Sequence, residues 1–212
     1  MKKGESKKIR KNFRRFWNLL WKDDSLKGWI FSVIFIMVFI LLIFFPLLRL
    51  ITNTSLPLAI VESCSMYHQG NVFSNFDNWW DRQNSKYVPF IINKLDFQDF
   101  PLKNGFSKGD ILFIVGVKPE KVKEGDIIIF STSQYPNPLI HRVIDIKEEE
   151  GKFFFSTIGD NNENQLSVEK EISGESLVGK AVLRVIPYVG WFKLVFFEGF
   201  RPVSERGFCK EN

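Results

Sequence analysis

The sequence predicts a mainly β domain, a sandwich or partly open barrel, tethered by one amino-terminal transmembrane helix. Two observations carry this. Residues 28–48 form 21 consecutive positions without a charge, and the apolar runs beyond residue 50 are short, rich in Val, Ile and Phe, and bounded by Gly, Pro, Asn or Asp. A length of 212 residues leaves room for one compact domain with accessories. A composition of 45% apolar and 25% charged residues argues against general disorder. Mean hydropathy of −0.06 excludes a polytopic membrane protein but not one apolar segment diluted by a polar domain.

The apolar segment reads WIFSVIFIMVFILLIFFPLL after Gly28. At about 1.5 Å per residue it makes roughly 30 Å of helix, the thickness of a bilayer's hydrocarbon core. It is apolar on all sides, so it has no face to present to water. Lys27 and Arg49 mark its ends, Trp21 and Trp29 suit the near interface, and Pro46 lies where a kink is tolerable. The run is longer than a signal peptide's 7–15 apolar residues and no small-x-small cleavage site comes after it, so it is expected to be an uncleaved anchor over residues 28–49.

Charge sets the orientation. Residues 1–27 hold ten basic and three acidic residues, whereas the remaining 185 hold 19 basic and 21 acidic. The basic character belongs to the tail, so the positive-inside rule keeps 1–27 in the cytoplasm and exports the chain beyond the anchor. The tail also gains affinity from anionic lipid. A single-pass plasma-membrane protein is the expectation, and a nucleic-acid groove on the main domain is poorly supported.

Within the exported part, residues 50–200, strand-sized runs fall at Leu56–Val61, Ile111–Val117, Ile127–Phe130, Ile140–Ile146, Phe153–Ile158 and Leu177–Val185. Lys-Gly-Asp at 108–110 and Glu-Gly-Asp at 124–126 are turn signals, and Glu148–Gly151 suits a hairpin turn. No amphipathic helix is expected between 107 and 187. Residues 67–106 carry ten aromatics, Phe73 among them, and read as an insertion burying its own rings with one helix, or as a segment dipping into lipid. Residues 187–200 are too short and too charged to span a bilayer, and suit a surface helix or packing on the β core. Residues 201–212 form a tail.

Two histidines, His68 and His141, exclude metal sites built on several His, and no HExxH spacing accompanies them. Two cysteines, Cys64 and Cys209, are too few for a disulfide scaffold; one bridge is possible, and the sequence does not say whether they meet. Nucleophilic catalysis fares better. Serine needs a base within hydrogen-bond reach and donors for the oxyanion. Ser63 and Ser65 come just after the strand-like LPLAIV; His141 lies in LIHRVIDI, on the same face as Leu139 and Val143 by alternation; Asp160 stands in a GDNN turn. His68, three residues after Ser65, is a weaker candidate base.

Taken together, the anchor, SCSM, KGDILF, EGDIIIF, IHRVI, GDNN and VGKAVLRVIPYVG occur in an order that resembles the type I signal peptidases, in their archaeal and endoplasmic-reticulum branch. The resemblance covers about residues 28–190. Bacterial members have a lysine where this chain has His141, which argues against a Ser–Lys dyad. The resemblance implies a signal-peptidase-like β domain in which Ser65 is the nucleophile and His141 the general base. Asp160 is the nearest match to the acid, and Ser63 with the Ser65 amide would hold the oxyanion beside Met66. It implies preprotein signal peptides as substrates, contact with the bilayer and the export machinery, and no cofactor or metal.

Three departures accompany it. Cys64 replaces a glycine between the two serines. The family's second aspartate, about six residues after that of GDNN, is missing, which leaves Asp160, Glu163 or a bare Ser–His pair. The connection from Ser-Met to the Gly-Asp turn is lengthened by the aromatic insertion. A tethered binding domain without activity, or a protease for another exported substrate, are the alternatives.

Overall fold

The computed structural model describes residues 3–69 and 76–210, so Phe73 lies outside the described residues. The chain divides into two compact units, residues 1–51 and 52–212.

The first unit is helical. Helix α1 spans Lys3–Trp21 and lies in the stretch read from sequence only as a basic tail. Along it Ile9, Phe13, Trp17 and Trp21, four residues apart, form an exposed row. A turn leads into α2, a 27-residue helix over Leu26–Thr52 with a mean hydropathy of 3.1. Ser25 caps it, its hydroxyl accepting from the Gly28 amide at 3.1 Å. Position 28 is glycine because a Cβ there would lie 2.5 Å from the Asp23 carbonyl. Ser32 Oγ donates to the Leu20 carbonyl at 2.7 Å, and Phe16 packs edge-on against Phe31 and Phe35, joining the two helices. A π-helical turn over Ile40–Phe44 precedes Pro46, a backbone irregularity where a ring interrupts the ladder. Among the described residues α2 is the one helix long and apolar enough to cross a membrane.

The second unit is a curled antiparallel sheet of seven strands. They are β1 Leu58–Ile60, β2 Ile111–Val115, β3 Ile127–Phe130, β4 Leu139–Glu149, β5 Lys152–Ile158, β6 Ile172–Ser173 and β7 Leu177–Ile186. Their order is β1-β2-β7-β3-β4-β5-β6, which leaves β1 as an edge. The short strand β6 was not legible in the sequence. β4 and β5 form a hairpin closed by Glu150-Gly151, both at positive φ (51° and 76°), as a two-residue turn matching strand twist requires. In both Gly-Asp turns the aspartate accepts an amide three residues back: Asp110 from Ser107 at 2.8 Å, Asp126 from Lys123 at 3.0 Å.

Alternation along the fully buried β3 feeds two cores. Ile127 and Ile129 join Val61, Leu112, Ile114 and Phe106, whereas Ile128 and Phe130 join Val143, Phe155 and Ile172. A third cluster belongs to the insertion, whose described residues form two α-helices rather than one: α3, Phe76–Gln83, and α4, Lys94–Asp99. Phe76, Trp79, Trp80, Tyr87 and Phe97 pack with Ile144 of β4 and Ile158 of β5. The insertion therefore buries its aromatics against the sheet. The last helix, α5, spans Trp191–Leu194; Leu194 is buried while Phe192, Phe196 and Phe200 are exposed.

Candidate active site

After β1 the chain keeps its pairing one step further: the Val61 amide donates to Asp110 O at 2.9 Å and the Gly109 amide to Val61 O at 2.8 Å. It then turns, with the Tyr67 amide donating to Cys64 O at 3.1 Å, and Ser65 stands on this turn. The GDNN turn holds it from one side. Asn161 donates its amide to Ser65 O at 2.7 Å and its side chain to Cys64 O at 3.1 Å. Gly159 permits the approach, since a Cβ there would lie 2.8 Å from Ser65 O. Cys64 is not among the five described non-glycine residues at positive φ, so the site does without the backbone freedom that a glycine there would give.

Ser65 Oγ lies 2.8 Å from His141 Nε2, and 3.0 Å from Ser63 Oγ. His141 reaches it from the start of β4, where it pairs with Ile128. Its other nitrogen, Nδ1, faces Glu169 Oε1 in a short contact. A carboxylate at Nδ1 fixes the tautomer with the proton on that nitrogen and leaves Nε2 to accept from serine. Glu169 is fully buried and held in turn: Thr157 Oγ1 donates to Oε1 at 3.2 Å and the Leu166 amide to Oε2 at 2.7 Å.

Asp160, the acid matched from the sequence, is elsewhere. Its carboxylate accepts from Arg142 Nε and Nη2 at 2.9 and 2.7 Å, from His68 Nε2 at 2.9 Å and from Tyr87 Oη at 3.0 Å. None of these bonds reaches His141. The physical reason is alternation: Arg142 comes next to His141 in β4, points to the opposite face, and takes Asp160 with it. Glu163, the other acid considered, is exposed. Glu169 lies three residues beyond Leu166, where the stretch expected to hold the acid ends, and so escapes the sequence reading.

Burial alone would raise the Asp160 pKa; the Arg142 charge, with bonds from His68 and Arg142, outweighs it and holds the carboxyl far below the usual range. Burial pushes His68 below its ordinary value, Asp160 opposing. Its ring lies flat on Trp79 at 3.6 Å, so His68 is bound to Asp160 rather than to Ser65. Lys86 Nζ donates to the carbonyls of Gly159, Asp160 and Asn162 at 3.3, 2.5 and 2.9 Å. Burial brings its pKa down to about 8, Asp160 opposing. The insertion thus props the GDNN turn from behind. Met66 is 1% exposed in the core, accepting from the Asp160 amide through sulfur at 3.4 Å; it does not line the cleft.

Ser63, Ser65 and His141 open onto a cleft of about 430 Å³ whose apolar walls come from β1 and from residues 135–140. Its polar end is Glu62 with Lys193 and Arg201. Beside it Cys64 and Cys209 form a disulfide. Among the described residues no group of three or more His, Cys, Asp or Glu is arranged to hold a metal ion.

No protein-family model matches the chain. Curated relatives do. The signal peptidase complex catalytic subunit SEC11C of Homo sapiens is 31% identical over 100 residues, covering 44% of this chain and 52% of the relative. The proteins of that name from Canis lupus familiaris and Mus musculus match to the same extent. The chain spans about half the length of the curated relatives it matches.

Proposed function

From its homology to the type I signal peptidases of the archaeal and endoplasmic-reticulum branch, we propose that this chain is a membrane-anchored serine endopeptidase removing signal peptides from exported preproteins. The observation that carries the reading is the Ser65–His141–Glu169 relay at the floor of a cleft beside an open strand edge.

The chemistry derives from the geometry. The peptide lies extended along β1, adding a strand to the edge and sending alternate side chains into the apolar walls. His141 Nε2 takes the Ser65 proton as Oγ attacks the scissile carbonyl. Ser63 Oγ and the Ser65 amide donate to the oxyanion. Glu169 stabilises the imidazolium without taking its proton. His141 then protonates the leaving amine, and water resolves the acyl-enzyme by the same steps in reverse.

In this proposal α2 spans the plasma membrane with residues 1–27 cytoplasmic. The row of Ile9, Phe13, Trp17 and Trp21 on α1 lies in the near interface among basic residues. The domain from about residue 50 is exported, and the Cys64–Cys209 disulfide suits that oxidising side. The exposed Phe192, Phe196 and Phe200 rest on the outer lipid surface, bringing the cleft to substrates held in the same layer.

The test is cleavage of a preprotein by the purified full chain in detergent. A shortened product that begins directly after the signal segment is expected. Ser65→Ala should lower turnover on the order of 10⁴-fold or more. No product at all favours a binding domain on the same scaffold, and a cut elsewhere favours another exported substrate.

A further inference from the structure

The segment after α5 folds back on the nucleophile's own turn and grips it twice. Arg201 Nη1 donates to the Glu62 carbonyl at 3.0 Å and Nη2 to the Glu62 carboxylate at 2.8 Å. Cys209 is bonded to Cys64, the residue between the two site serines. Lys193 adds a contact to the same carboxylate at 3.3 Å.

The segment is itself anchored. The buried Lys108 of the first Gly-Asp turn pairs with Glu198 at 2.7 Å and donates to the Glu205 carbonyl at 2.6 Å. Trp191 Nε1 donates to the Lys108 carbonyl at 3.0 Å, and Trp191 packs on Phe208 at 4.5 Å. Lys193 and Arg201 also line the cleft.

We infer that residues 191–209 are a working part of the active site: a covalently latched strap that holds residues 62–65 in register for attack and closes one end of the substrate cleft. The inference rests on the protease reading for its function, although the latch itself does not. Ser65 is clamped on one side by Asn161, through Ser65 O and Cys64 O, and on the other by the strap, through Glu62 O and the Cys64 side chain. Without the bond, the second clamp hangs on Arg201, 19% exposed, at the Glu62 carbonyl and carboxylate, with the half-exposed Lys193 beside it. These noncovalent contacts, partly open to solvent, hold the turn less firmly than a covalent bond does. Cys64 is thus a positioning residue: the side chain that replaces the family's glycine is the anchor point of the strap.

The test compares the oxidised full chain in detergent with the same protein reduced by a dithiol. The dithiol supplies two electrons and two protons, opens the bond to two thiols, and leaves as its own cyclic disulfide. Reduction should lower kcat/KM on the order of 10²-fold, the scale of a small misplacement at a reacting atom, and reoxidation should restore it. Cys209→Ser, which substitutes no residue of the serine turn, and the double variant C64S/C209S should reproduce the loss at temperatures below their melting transitions. Hydrogen exchange at amides 62–66 should quicken about tenfold or more on reduction. A folded C209S that cleaves at the parent rate would overturn the inference, as would unchanged exchange. If the oxidised protein cleaves nothing, the protease reading falls, and the exchange measurement still decides the latch.

Discussion

His141 and Arg142 are neighbours in one strand and face opposite sides of the sheet, and each takes its own carboxylate. His141 takes Glu169 and Arg142 takes Asp160, so two acids nine residues apart do different work. One contacts an imidazole on the cleft side. The other closes a buried charge on the side of the insertion, where the Arg142 guanidinium also lies 4.6 Å from the Phe97 ring centre.

Glu169→Gln should keep the fold and lose the orienting charge. Turnover is expected to fall on the order of 10³–10⁴-fold with KM little changed, because the amide cannot stabilise the imidazolium and can present the wrong partner to Nδ1. Steady-state kinetics on a preprotein substrate checks this. Full activity in a folded Glu169→Gln would remove Glu169 from the relay.

Asp160→Asn should act through stability instead. It strands Arg142, which is 0% exposed, with its charge unmatched, a change costing about 3–5 kcal/mol. Calorimetry or chemical denaturation should register this loss, and the variant fraction that remains folded should keep a measurable rate. A stable, inactive Asp160→Asn would return Asp160 to the catalytic role.

The pH dependence of stability has a definite sign at His68. Burial holds its folded pKa below the unfolded value of about 6.5, so below that pH the unfolded chain binds a proton that the folded chain refuses. The contribution is whole above about pH 6.5 and is lost as pH falls toward the folded pKa, at up to about 1.4 kcal/mol per pH unit. The groups facing the ring are Asp160, which resists the shift, and Arg142 and Lys86, which add to it. Denaturation midpoints between pH 7.5 and 5.5 should fall more steeply in the parent than in His68→Gln. Parallel slopes would contradict the assignment.

The strands were legible because β-branched runs ended at turn residues: Ile127–Phe130 matches β3 residue for residue, and the Glu-Gly turn fixed the β4–β5 hairpin. The pairing of Ser65 with His141 was legible only through the order of motifs, since 76 residues separate them. Glu169 was not legible. Its buried position comes from a single-turn helix, Ser167–Glu169, that swings the carboxylate inward, and nothing in S-V-E distinguishes it from a surface cap. Nor was the meeting of Cys64 with Cys209, because a pair of thiols 145 residues apart carries no local signal.

That separation also imposes a timetable. The chain is made in order, so 145 further residues must be added after Cys64 before its sulfur has a partner. At about 5–20 residues per second this is a delay of roughly seven to thirty seconds. Throughout it the turn that carries Ser65 lacks its covalent latch, which can close only once Cys209, beyond the end of the last strand at Ile186, has been made.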